Sequence, residues 1–218
     1  MKGQTTIEFI VLATTRTGEN AVVVHTLSQE YGRRGFLVRP GKQAGMALLL
    51  PLNILEAKVV ENPKSSLWSL KDLSLKDALN GIRGNLHKNT MTLFLSEVLF
   101  RTLREGGIED GLYPWCVGSI LTLNALEGDF QNFHLRFLLE LAGALGFRPS
   151  FQDIAPFAGE HASLMRRLVT EDFSASLLIP MDGRTRNALC EELLQYLSYH
   201  TESNIQVKSL SILREIYQ

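Results

Sequence analysis

Residues 21–40 read AVVVHTLSQEYGRRGFLVRP, and the way this stretch folds decides the class of the first half of the chain. AVVVHTLS (21–28) is a β-branched, apolar run of strand length. GFLVRP (35–40) is a second extended run, ended by Pro40 and Gly41. QEYGRR between them reads as a turn around Gly32. Working outward, TGEN (17–20) is a turn signal in which Gly18 and Asn20 accept a positive φ. TTIEFIVLATT (5–15) before it is strand-like, so this run and 21–28 form a hairpin. On the other side, MALLLPLNILEAKVV (46–60) has room for two more extended pieces, with Pro51 forcing a break or an edge position. NPKSS (62–66) turns the chain into SLWSLKDLSL (66–75). Five or six short strands within about 75 residues indicate a small closed or partly open barrel, SH3-like or OB.

The same stretch carries the chemistry. YGRRGFLVRPGK (31–42) holds four cations (Arg33, Arg34, Arg39, Lys42), two rings (Tyr31, Phe36), three glycines and no acid. Cations on a barrel face neutralise phosphates and release condensed counterions. Rings stack on unpaired bases, and glycines let backbone N–H groups approach an anion. Tyr31 is the stacking candidate, and Phe36, inside FLV, reads as core. Arg16 and Lys58 are further cation candidates. The plainer alternative is an edge strand whose arginines only meet water.

From about residue 76 the apolar period changes from two to 3.6. Helical patterns cover 91–105, 112–128, 130–147, 161–169, 182–200 and 207–217, with Pro114 in a first turn and Asp182 as an N-cap. The fold class expected is therefore α+β, a barrel domain over 1–80 and an all-helical domain over 81–218. Residues 1–90 carry a formal charge of +5 and residues 91–218 one of −6. This asymmetry points to a polyanion partner for the first half and protein partners for the second, the alternative being chance clustering of charge on two solvated faces.

Several functions find no support in the residues. IEFIVLA near the start is interrupted by Glu8 and has no basic flank or small-residue cleavage site, so neither a signal peptide nor a membrane span is expected. Cys116 and Cys190 stand alone in apolar helical surroundings, which fits reduced thiols in a cytoplasmic protein and no zinc. His25, His87, His134, His161 and His200 are scattered without metal-ligand spacing, and His134 in FHLRF reads as a packed core residue. The acid pairs Glu109-Asp110, Glu171-Asp172 and Glu191-Glu192 lie at turns or helix starts. No phosphate-loop, dinucleotide or serine-nucleophile motif occurs, so neither catalytic residues nor a cofactor are expected.

Val24 to Val38 with Tyr31, Gly32 and Arg33, MALLLPLNILEAKV (46–59), LSEVLFRTLREGG (95–107), NFHLRFLLELAGALGFRP (132–149) and KSLSILREIY (208–217) follow one another in an order and spacing that resemble the RecO family of bacterial recombination mediators. The resemblance implies an OB barrel followed by a helical domain, and a non-enzymatic role. It implies binding of single- and double-stranded DNA, annealing of complementary strands and work with the partner RecR. It also implies help in loading RecA onto DNA coated by single-strand-binding protein. The helical domain of relatives docks the acidic, aromatic-ended tail of that protein, which needs an apolar pocket rimmed by cations. Arg101, Arg104 and Arg136 are the rim candidates, and an i,i+4 pair with Glu140 is the alternative use of Arg136. The chain departs from some relatives in lacking a four-cysteine zinc module, so no metal is expected, and in a short segment after Pro149. The rival readings are a protein–protein adaptor that binds no nucleic acid and, third, an uncharacterised hydrolase, with His25 and His134 as the histidines to test.

Overall fold

The computed structural model describes residues 5–18, 20–39, 46–147 and 149–217. The chain divides into two compact units, one formed by Met1–Asn80 with Leu103–Val117, the other by Gly81–Thr102 with Gly118–Gln218.

The first unit is a closed five-strand barrel in the order β1-β2-β3-β5-β4, the OB arrangement that the resemblance implied. Its strands are β1 (Thr5–Arg16), β2 (Val22–Ser28), β3 (Gly32–Val38), β4 (Ile54–Val60) and β5 (Trp68–Leu75). Closure depends on the long first strand. Residues 5–10 pair with β4, residues 9–16 pair with β2, and the register shifts between Val11 and Ala13. A bulge there bends one strand enough to serve two neighbours, which removes an exposed sheet edge. The short parallel contact of Phe36 with Trp68 and Leu37 with Ser69 completes the ring. Ile7, Phe9, Val11, Val24, Phe36, Leu55, Val59 and Leu70 fill the interior.

Two local expectations need correction. The turn before β3 is shorter than QEYGRR: the strand begins at Gly32, so Arg33 and Arg34 lie in it. The apolar run 46–52 forms turns instead of a strand. Leu49 N–H donates to Met46 O, and the Asn53 side-chain amide donates to the carbonyls of Ala47 and Leu48. Leu49 and Leu52 are buried from these turns. A short apolar run states that residues are buried, and does not by itself specify extended backbone.

In the helical part of the chain, the main elements are α2 (Leu86–Thr102), α3 (Leu112–Ala125), α4 (Phe133–Ala144), α6 (Ala162–Thr170), α8 (Gly183–His200) and α9 (Leu210–Ile216). Shorter turns fill in: α1 (Asn80–Arg83), α5 (Phe151–Ile154) and α7 (Phe173–Leu177). The pattern 91–105 therefore begins earlier and stops at Thr102, which leaves Arg104 outside the helix. Asp182 is the N-cap of α8, its side chain accepting from Thr185 N–H. The α9 start is held from another helix: Glu97 of α2 accepts from the Ser209 N–H at 2.9 Å and from its hydroxyl at 2.7 Å. α4 is buried on most of its surface, and His134 within it is 1% exposed. Burial, with the Arg186 charge adding to it, drives the His134 pKa down to about 3.

Candidate nucleic-acid interface

Side chains of β3 alternate between the two faces of the barrel wall. Phe36 and Val38 point inward. Arg34 shares their face and pairs across with Thr26, whereas Arg33, Leu37 and Arg39 belong to the outer face, next to His25 of β2. The adjacent arginines that look like one patch in the sequence are thus separated by the wall.

Arg34 sits at one end of the barrel among rings. Its guanidinium lies 3.8 Å from the Trp68 ring centroid and 5.5 Å from that of Tyr31, and it donates to Ser66 O at 3.2 Å. Tyr31 meets Phe36 and Trp68 edge-on, with centroids 5.9 and 5.7 Å apart. Tyr31 and Trp68 are half-buried. The result is a cationic, aromatic mouth over the core, built from β3 and the β4–β5 turn, where Lys64 is exposed. A planar guanidinium stacked on an indole holds both in one orientation. Trp68 was not singled out in the sequence, because only the β3–β5 pairing brings it to Arg34.

Arg33 is covered. Its side chain is 16% exposed and lies 4.0 Å from the Glu105 carboxylate. Gly106 N–H donates to Arg33 O at 2.8 Å. Gly32 has φ +57°, and a Cβ there would lie 1.9 Å from Gly107 O. Glycine is required at that crossing for both reasons. Burial, then the Arg33 charge, lowers the His25 pKa below the ordinary histidine value, with Glu105 opposing.

Arg16 and Arg39 are exposed at the same end of the sheet, since Arg16 pairs with Val22 and Val22 with Val38. Neither has an ion pair among the described residues. Arg39 and Lys71 each follow by two residues the paired Leu37 and Ser69, and Lys71 is the register partner of Lys58. Lys58 itself binds Asp72 at 2.9 Å. Lys71 is a candidate that the sequence reading missed, and its signal was its β5 position opposite Lys58. Lys42 lies outside the described residues.

The charge asymmetry of the sequence does not survive folding. The barrel unit holds 11 Lys/Arg and 10 Asp/Glu, a balance of +1, and the helical unit 11 and 13, a balance of −2. Residues 103–117 add three acids to the barrel unit, while Arg83 and Lys88 of the basic half belong to the helical unit. Lys88 is 3% exposed, and its ammonium binds Asn124 O and Leu126 O at the end of α3. Arg83 binds Asn89 Oδ1 at 2.7 Å.

Of the three rim candidates, Arg136 is the most constrained. Nε donates to Glu140 at 2.8 Å, and Nη1 donates to Leu168 O at 3.2 Å and Glu171 O at 3.0 Å. It thereby satisfies the C-terminal carbonyls of α6. Beside it Leu139, Glu140, Gly143, Pro149 and Val169 line a cleft of about 180 Å³. Arg101 pairs with Glu97 at 3.7 Å. Arg104 is exposed in the loop after α2. Among the described residues no group of three metal-ligating side chains converges, and no helix is long and apolar enough to cross a membrane.

Comparison with known proteins places this architecture. A family model described as Recombination protein O N terminal matches residues 1–79, and one described as Recombination protein O C terminal matches residues 83–155. The DNA repair protein RecO of Phocaeicola vulgatus is 27% identical over 233 residues, covering 95% of this chain and 97% of the relative. That of Flavobacterium psychrophilum is 24% identical at the same coverage. That of Porphyromonas gingivalis W83 is 33% identical over 149 residues, 66% of this chain and 61% of the relative. With both halves matched in order around a closed barrel and a helical region, the chain belongs to the RecO family of DNA repair proteins.

Proposed function

We propose that the chain is a non-catalytic recombination mediator. Its barrel binds single- and double-stranded DNA and anneals complementary strands. With RecR it helps RecA load onto DNA coated by single-strand-binding protein, in the cytoplasm and on the nucleoid. Residues 1–80 serve DNA and residues 81–218 serve proteins. The observation that carries this reading is the mouth formed by Arg34, Trp68 and Tyr31, with Lys64 exposed in the turn that helps to build it and Arg16, Arg39 and Lys71 exposed elsewhere on the barrel unit. A ring beside a guanidinium suits an unstacked base and its phosphate, at about 1–3 kcal/mol per stacked base. Contacts to phosphate carry no sequence information and leave base edges free to find a complement. Lys42 extends the cation set along the chain after Arg39.

The cleft beside Arg136 is the proposed dock for the acidic tail of single-strand-binding protein. Its apolar walls suit a terminal ring, and Arg136 supplies positive charge. Arg101 and Arg104, which do not line this cleft, are separate candidates for partner contacts.

The adaptor reading draws on one observation, the near-neutral balance of the barrel unit. Charge reversal at Arg16 and Arg39 separates the two. Neither residue has an ion pair among the described residues, so the fold should persist, as checked by its melting curve. The mediator reading requires a large loss of oligonucleotide binding and annealing in the double variant. Unchanged binding would favour the adaptor. Arg33 and Arg34 are less suitable, because reversing them also breaks the Glu105 and Trp68 contacts.

A further inference from the structure

Residues 104–108 run along the edge of β3 at Arg33, within the barrel unit. Two features fix them there, a β-bridge with its hydrogen bond and a close backbone crossing. Gly106 N–H donates to Arg33 O at 2.8 Å. Arg33 and Glu105 form a parallel β-bridge. The bare Cα of Gly32 admits Gly107 O, which a methyl group would meet at 1.9 Å. The strap is thus held by backbone, while its acid is held only by charge. Glu105 is 69% exposed and stands at 4.0 Å from a guanidinium that is 16% exposed.

We propose that Glu105 is a resident competitor for the phosphate that Arg33 would otherwise hold, an affinity-setting residue built into the strap. The inference rests on the barrel binding DNA. A carboxylate on a tethered strap faces Arg33 at a high effective concentration. The carboxylate is exposed and stands at the outer limit of an ion pair, so an arriving phosphate displaces it at modest cost. Glu105 then returns to Arg33 when the strand leaves. Such a device lowers affinity and speeds release, which suits a protein that passes strands on to each other.

The experiment is a coupling cycle read by binding of a labelled single-stranded oligonucleotide at low salt. Glu105→Gln removes the acid and keeps the strap. Glu109→Gln removes the same charge from the same loop and controls for net charge. Glu105→Gln should tighten binding about two- to fivefold beyond the Glu109→Gln change. In an Arg33→Gln background the extra gain should vanish. Equal effects of the two substitutions, or a gain that persists without Arg33, overturns the competitor. If the wild-type chain binds no oligonucleotide at all, the nucleic-acid reading of the barrel fails first, and the competitor fails with it.

Discussion

Arg136 binds three acceptors from a single side chain: Glu140 in its own helix and the carbonyls of Leu168 and Glu171 at the end of α6. Replacing it by alanine strips two partly buried carbonyls of a charged donor, and should lower stability by about 2–3 kcal/mol in a urea titration. Lysine should recover little, because a point charge does not reproduce the fork. Loss of partner binding in such a variant therefore has to be read beside its stability. The sequence reading named both uses of Arg136, and only the folded chain reveals the carbonyls, which lie 32 and 35 residues further on. His134 gives a second residue-scale prediction. Its pKa is lowered to about 3 in the fold, so below about pH 6.5 the unfolded chain binds a proton that the folded chain refuses. Stability should fall as pH drops from about 6.5 towards 3, by on the order of 1.4 kcal/mol per pH unit. His134→Leu should flatten this acid limb in urea midpoints measured at pH 7, 5 and 4. His25, shifted in the same direction, leaves a residual slope.

β3 shows what an element adds to its residues. Read as a string, Arg33 and Arg34 look equivalent. A period of two sends one to the outer face beside Glu105 and the other to the ring-lined mouth. The strand pattern was legible in the β-branched runs and glycine turns, and so was Phe36 as core. Trp68 was not, since its neighbours come from a pairing between strands thirty residues apart. The 46–52 run misled because burial and extension were read as one property. Gly32→Ala should cost more than about 2 kcal/mol, since it combines a left-handed φ with a backbone collision. Gly18→Ala, left-handed but in open space, should cost only about 1 kcal/mol, and paired melting curves compare the two. Trp68→Ala should weaken single-strand binding by about tenfold, and Trp68→Phe should keep most of it, because a ring still lies beside Arg34. Equal weakening by both would mean that the ring's face is not what binds.

At the scale of the whole molecule, the linear charge split of the chain was a poor guide. Lys88 and Arg83 are used inside the helical unit, and the barrel unit is close to neutral. The α+β architecture and the family were legible because they are encoded in order and periodicity, which survive without any single contact. The candidate interface was legible only in part. Its cations were named from composition, but their pairing with Glu105, Asp72 and Trp68 arises from residues distant in sequence. On the mediator reading, the exposed cations Arg16, Arg39, Lys64 and Lys71 suffice to follow a phosphate backbone despite the small net charge of the barrel unit. The measurement that tests it most directly is fluorescence anisotropy of a labelled single-stranded oligonucleotide titrated with the protein at about 50 and about 200 mM salt. Binding at low salt that weakens at least tenfold at the higher salt is the predicted result. Affinity that does not change with salt, or no binding at low salt, would contradict it.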